Sequence, residues 1–138
     1  MIIGILKEIK TEENRVSMTP VGVEVMKGHG HTVLVEKNAG VGSGFENKAY
    51  AAAGAEIVKT AREIYDRSDM VMHVKEPMPS EYNLIRKDQI VFTYLHLAAD
   101  EVLTKAMIKS KSIGIAYETI QRADGSLPLL IPMSEVAG

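Results

Sequence analysis

The stretch Asp69-Met70-Val71-Met72-His73-Val74-Lys75-Glu76-Pro77 decides how this chain folds. Four of its first six residues are apolar, and three of them are consecutive rather than alternating with polar ones. A strand with one wet face alternates, whereas an unbroken apolar run fits a strand covered on both faces, as in a parallel sheet. Glu76-Pro77 ends the run, because proline has no N–H to donate to a strand ladder. Residues 2–6 (Ile-Ile-Gly-Ile-Leu) and 113–116 (Ile-Gly-Ile-Ala) repeat the pattern near the two ends of the chain.

Working outward, helix-like segments separate these strands. Thr19-Pro20 supplies an N-cap and a first-turn proline, and Val21, Val25 and Met26 are expected to share one face until Gly28 or Gly30 closes the helix. Residues 32–36 are a β-branched strand, 47–53 an alanine-rich helix stopped by Gly54, and 55–58 a weak strand. A Thr60-capped helix runs over 60–67, a strand over 90–95, a helix over 100–110 with Asp100 as cap, and a strand over 113–117. Beyond Gln121 the pattern changes: Ala123-Asp124-Gly125-Ser126 is a turn, the proline-bounded 127–131 reads as too rigid for a helix, and Pro132 opens one. Strand and helix thus alternate about five times, which predicts an α/β protein, a parallel-sheet three-layer sandwich of flavodoxin-like or Rossmann-like kind.

Composition narrows the function. The 138 residues fit one domain, and 46% apolar with 25% charged residues is globular, not disordered or collagen-like. A net charge of -2 offers no footprint for nucleic acid or an anionic membrane. No cysteine is present, which removes disulfides, thiol nucleophiles and Cys-ligated metals. Without a membrane-length apolar run or a basic leader, the expected location is the cytoplasm.

Ligands of open parallel sheets bind beyond the carboxyl ends of the strands. That rule selects Lys7 and Glu8 after the first strand, Arg15 in the following loop, Lys75 and Glu76, then His96, then Tyr117 and Glu118. Arg15 is either a solvated loop residue or a two-bond fork for a carboxylate. Lys75 is either a rim cation or a group polarising a carbonyl or carboxylate oxygen. His96 is either a core histidine or a general acid/base. His73, inside a strand, reads as structural, and His29 and His31 as loop residues without metal partners. The loop Gly40-Val41-Gly42-Ser43-Gly44-Phe45 follows a strand but misses the dinucleotide fingerprint: in the two frames the third glycine would fall on Phe45 or Asn47. It is expected to supply positive backbone angles. An Arg, a Lys and a His aimed at one rim suit a small carboxylate or keto acid.

Several segments also resemble a known family. Gly4-Ile5-Leu6-Lys7-Glu8, Glu13-Asn14-Arg15-Val16, Thr19-Pro20, the glycine loop, Val74-Lys75-Glu76-Pro77, residues 92–99, Ser126-Leu127-Pro128-Leu129-Leu130 and residues 132–138 are similar, in order, to the N-terminal domain of alanine dehydrogenases. The opening Lys-Glu and Asn-Arg-Val pattern is shared with the proton-translocating transhydrogenase alpha subunit, whereas Lys75-Glu76-Pro77 and Tyr94-Leu95-His96 favour alanine dehydrogenase. The resemblance implies reversible conversion of L-alanine, NAD and water to pyruvate, ammonium and NADH. It implies Arg15 and Lys75 as the substrate-binding pair, His96 as general acid/base, Tyr94 and Met133 as pocket lining, and Ser134, at a helix N-terminus, as a contact to the cofactor pyrophosphate.

On the same resemblance, residues 1–128 are expected to form the substrate/catalytic domain and 129–138 the start of a helix leading to an NAD-binding domain beyond Gly138. The full-length family implies a hexamer, and this chain alone a monomer or dimer. Two alternatives stand beside this expectation: a transhydrogenase or saccharopine-dehydrogenase relative, and a non-catalytic small-acid-binding module. A phosphate receiver would need clustered acids where Lys7-Glu8 stand. Because reaction requires nicotinamide held against the substrate carbon, the chain by itself is expected to lack alanine-dependent NADH formation. A signal abolished by His96→Ala would overturn that expectation.

Overall fold

The computed structural model describes all residues from Met1 to Gly138. Six strands, β1 (Ile2–Ile5), β2 (Thr32–Glu36), β3 (Glu56–Val58), β4 (Met70–Met72), β5 (Ile90–Thr93) and β6 (Ile113–Ala116), form one sheet in the order β3-β2-β1-β4-β5-β6. Every pair is parallel. Five helices accompany them: α1 (Pro20–Gly28), α2 (Asn47–Ala52), α3 (Ala61–Arg67), α4 (Glu101–Ser110) and α5 (Leu130–Ala137). This is the α/β architecture expected, with the strand order of the doubly wound Rossmann type and not the flavodoxin order. The chain winds outward from β1 to one edge, returns to β4 and winds to the other. β1 and β4 are therefore neighbours whose exits lead in opposite directions.

The apolar runs behave as their pattern requires. Ile3, Ile5, Val33, Val35 and Met72 face one side with Val23 of α1 and Tyr50 of α2. Leu34, Val71 and Val91 face the other, with Ile64 and Tyr65 of α3 and Leu103 and Met107 of α4. Thr19, Thr60 and Asp100 cap their helices through side-chain oxygens that accept from Gly22, Glu63 and Leu103 N–H groups.

Three expectations are corrected. The inward residue of α1 is Val23, while Val21 and Val25 lie 68% and 52% exposed. Met18, Val23 and Met26 pack on the same cluster, so the apolar face is set by burial before and within the helix. β4 and β5 end at Met72 and Thr93, so His73 to Lys75 and Tyr94 to His96 are strand exits rather than strand. Two 3-10 turns, Pro79–Leu84 and Leu97–Ala99, follow these exits. Finally, α5 begins at Leu130, where Leu130 and Ile131 N–H groups both donate to the Leu127 carbonyl. Pro132 then sits in the first turn, where a missing N–H is tolerated. Ser134 consequently lies one turn inside the helix, not at its N-terminus.

Gly4 is required by close packing between β1 and α3. A Cβ there would lie 2.3 Å from Ser68 Oγ and 2.5 Å from Ile64 Cγ2, and both residues are fully buried. Gly4→Ala is expected to destabilise the protein by about 1–3 kcal/mol, the usual cost of overpacking. Gly28→Ala, where a Cβ meets nothing within 4 Å, should be neutral or slightly stabilising. Urea unfolding of the two variants checks the contrast, and equal stabilities would contradict it.

Candidate functional site

All six strands being parallel, their carboxyl ends share one edge, and the exits named above meet there. A cleft of about 620 Å³ opens at this edge, walled by Val74, Phe92 and Tyr117 on the sheet side and by Pro132, Met133 and Val136 of α5 on the other. Arg15, Ser17, Thr19 and Ser43 supply polar groups to a mostly apolar lining, the usual make-up of a small-molecule site.

Arg15 is held from below by Glu13. Its Nε donates to Glu13 Oε1 at 2.7 Å and Nη2 to Oε2 at 2.8 Å, and the Arg15 N–H also donates to Oε1 at 3.1 Å. The Glu13 side chain is only 9% exposed, against 56% for Arg15. The guanidinium hydrogen bonds hold the Glu13 carboxyl below its ordinary range, and Glu13 raises Arg15 in return. This fork uses the Nε edge, so the Nη1 and Nη2 edge keeps donors for a second carboxylate. The glycine loop braces the same segment: Ser43 Oγ donates to the Asn14 carbonyl at 2.8 Å. A Cβ on Gly42 would come within 2.9 Å of that carbonyl oxygen.

Lys75 leaves β4 through a turn whose backbone is fixed on both sides. Glu8 accepts from the Val74 N–H at 2.6 Å and the Lys75 N–H at 3.4 Å, and Thr93 Oγ1 donates to the Lys75 carbonyl at 2.8 Å. The half-buried Lys75 side chain has no ion pair within the chain, whereas Lys10 and Glu76 pair with each other beside it.

Behind this turn lies a buried charge cluster. His73 Nδ1 stands 3.0 Å from Glu8 Oε1, and its Nε2 stands 2.7 Å from Glu81 Oε1. His73, Glu8 and Glu81 are 1%, 8% and 3% exposed. Tyr65 donates to Glu81 at 3.3 Å, and Tyr117 donates to the His73 carbonyl at 2.9 Å. Burial disfavours the imidazolium, but the hydrogen bonds to Glu8 and Glu81 outweigh it and push His73 up to about 9. Both ring nitrogens then donate, one to each carboxylate. Burial, reinforced by Glu81, raises the Tyr65 hydroxyl well above its usual range.

His96 leaves β5 in the left-handed region, at φ 47° and ψ 41°. Its ring stacks on Tyr94 with centroids 5.7 Å apart and planes 17° from parallel. It opens, however, onto a second cleft of similar size over β6 and α4, bordered by Met107, Gly114 and Glu118. The Tyr94 hydroxyl touches Met133 Sδ. Thus Arg15 and Met133 share one cleft and His96 borders the other, while Tyr94, in contact with Met133 and His96, and Lys75 line neither wall.

The glycine loop packs against the chain itself. The backbone at Gly40 and Gly42 is closed by the Tyr50 ring and by Asn14, as a Cβ at Gly40 would fall 2.6 Å from that ring. Ser134 is exposed on the body of α5, away from the free N–H groups of its first turn. The residues that sequence patterns missed are those working behind the rim: Glu13, His73, Glu81 and the roles of Glu8 and Glu118. Glu8 and Glu118 were visible as strand-end acids, but nothing in the sequence tells which backbone they reach.

Fold and rim together define a doubly wound α/β domain that carries Arg15, Lys75 and His96 at the carboxyl edge of its sheet. Comparison with known proteins agrees. Residues 4–137 match the family described as "Alanine dehydrogenase/PNT, N-terminal domain", and the chain belongs to that family. It is 56% identical over its whole length to an alanine dehydrogenase of Methanococcus maripaludis and 55% identical to one of Bacillus subtilis. It spans 37% and 36% of those relatives' lengths. A solved L-alanine dehydrogenase superposes over 99% of this chain, and 38% of its own, with a TM-score of 0.96 at 48% identity. A transhydrogenase from Sinorhizobium meliloti covers 88% of this chain, and 36% of its own, with a TM-score of 0.82 at 27% identity.

The His73 cluster has a pH signature. A folded-state value near 9, above an unfolded value near 6.5, means that its stabilisation is complete below about pH 6.5 and lost as pH rises through 9. Unfolding free energy is expected to fall by roughly 2–3 kcal/mol over that window. Denaturant titrations at steps from pH 6 to 9.5 check this, and a flat profile would contradict it.

Proposed function

We propose that this chain forms the substrate-side half of an alanine dehydrogenase active site, with residues 1–128 as the substrate domain and 129–138 leading into the connecting helix. The observation that carries the reading is the orientation of Arg15. Glu13 occupies one edge of its guanidinium and leaves the donors of the other edge free beside the cleft, while the Lys75 ammonium, at the exit of β4, has no ion pair within the chain. Family membership and the 56% identical relatives support the same substrate class.

In this reading Arg15 takes the carboxylate of L-alanine or pyruvate in two parallel hydrogen bonds. Lys75 donates to the keto oxygen or the near carboxylate oxygen, drawing electron density from the reacting carbon. His96 takes the proton from water as it adds to the imine, and returns one as the carbinolamine releases ammonium. Tyr94 and Met133 pack against the methyl group. NAD, when bound, supplies the oxidising equivalent; it is held mainly by a further domain, with Ser134 as a contact from this chain. Full-length assembly into a hexamer belongs to the same proposal. No helix of the chain is long and apolar enough to cross a membrane.

Pyruvate binding to the chain tests this. Shift mapping or calorimetry should give saturable binding that weakens about tenfold or more in Arg15→Ala and in Lys75→Ala, as befits charge-assisted hydrogen bonds. Arg15→Lys should restore little, because a point ammonium cannot reproduce the fork. Unchanged affinity in both alanine variants, or equal binding of pyruvate and inorganic phosphate, would overturn the reading.

A further inference from the structure

Every N–H group at a strand exit has left the ladder and needs another acceptor. At three adjacent exits this sheet meets the need in one way, with a carboxylate from the neighbouring strand's end. Glu36, the last residue of β2, accepts from the Lys7 N–H at 2.8 Å, where β1 ends. Glu8, just past β1, accepts from Val74 and Lys75 where β4 ends. Glu118, just past β6, accepts from the Leu95 N–H at 3.1 Å and the His96 N–H at 2.9 Å where β5 ends, both on its Oε1.

The third case differs in its cost. His96 is held at a positive φ, which a residue with a Cβ adopts only when its surroundings require it. Two successive N–H groups converging on one anionic oxygen form a concavity that favours this bend. The bend turns the His96 ring out of the sheet and onto Tyr94. Nothing else in the chain hydrogen-bonds the His96 ring or backbone N–H. The second oxygen of Glu118 is buried and has no partner, so the carboxylate's whole hydrogen bonding is spent on this turn.

We infer that Glu118 is the positioning residue for His96: its Oε1 fixes the left-handed turn that presents the imidazole, and it does not itself touch the substrate. The value of that presentation rests on His96 being the proton-transfer group of the proposed function. The contact itself stands apart from it, so two readouts separate the questions.

The experiment compares Glu118→Gln, which keeps an acceptor at Oε1, with Glu118→Ala, which removes it, and Glu118→Asp, which keeps the charge but is one methylene shorter. Amide hydrogen exchange of Leu95 and His96 reads the contact, with Val91 in β5 reporting whether the sheet persists. The chemical shift of the His96 ring on addition of pyruvate reads the presentation. In Glu118→Ala and Glu118→Asp, Leu95 and His96 are expected to exchange about tenfold faster or more while Val91 is unchanged. The pyruvate-induced shift of the His96 ring should be lost, with Arg15-dependent affinity kept within a few-fold. Glu118→Gln should restore both. Should Glu118→Ala unfold the sheet, the Gln and Asp pair decides alone. Exchange unchanged in Glu118→Asp, or Glu118→Gln as impaired as Glu118→Asp, overturns the inference. Absence of any pyruvate shift in the unsubstituted chain counts against the proposed function, while the exchange data still judge Glu118.

Discussion

The structure is organised around one buried imidazolium, His73, set between the carboxylates of Glu8 and Glu81. The cluster lies where β1 and β4 part, the one place where the two halves of the sheet could slide against each other. Glu8 comes from the end of β1, His73 from the end of β4, Glu81 from the 3-10 turn after it, and Tyr65 from α3. A charge buried in this way gains little net stability over an apolar replacement but is costly to break, since each partner left alone is an uncompensated ion. Its contribution is geometric. Glu8 holds His73 with the same oxygen that holds the Val74 N–H, and its other oxygen faces the Lys75 N–H. The exit of β4 is thereby fixed relative to that of β1.

The rim follows from this. Glu13 sets Arg15, Glu8 sets the Lys75 turn and Glu118 sets the His96 turn, so each cationic or basic group at the edge stands on a carboxylate behind it. Glu8 is buried and Glu13 and Glu118 are half-buried, while Arg15 and His96 are exposed. An anionic ligand entering the switch point meets donors whose positions are prepaid by the fold. Arg15 and His96 nonetheless face different clefts, and Tyr94 touches Met133 at the one and His96 at the other.

Much of the fold is legible in the sequence because strand burial on both faces leaves a near-continuous apolar run, as at residues 2–6 and 70–74. Thr19, Thr60 and Asp100 mark helix starts for an equally local reason. The rim residues are legible through a topological rule: parallel strands deliver their C-terminal residues to one edge. What is not legible depends on partners far along the chain. The inward face of α1 is chosen by the sheet, not by counting valines. The start of α5 is displaced because Pro132 is tolerated within the first turn. His73 reads as a core histidine until Glu8 and Glu81, 65 and 8 residues away, are seen on its two nitrogens.

The central claim is that the pinned exits of β1, β4 and β5 frame a site for a small carboxylate. The most direct measurement is a crystal structure of the chain with pyruvate bound. The account predicts the carboxylate on the Nη1 and Nη2 edge of Arg15, with Glu13 still on the Nε edge, the Lys75 ammonium on a ligand oxygen, and the ligand lying against Tyr94. Pyruvate seated wholly in the cleft over β6 and α4, or displacing Glu13 with Lys75 turned away, would contradict it.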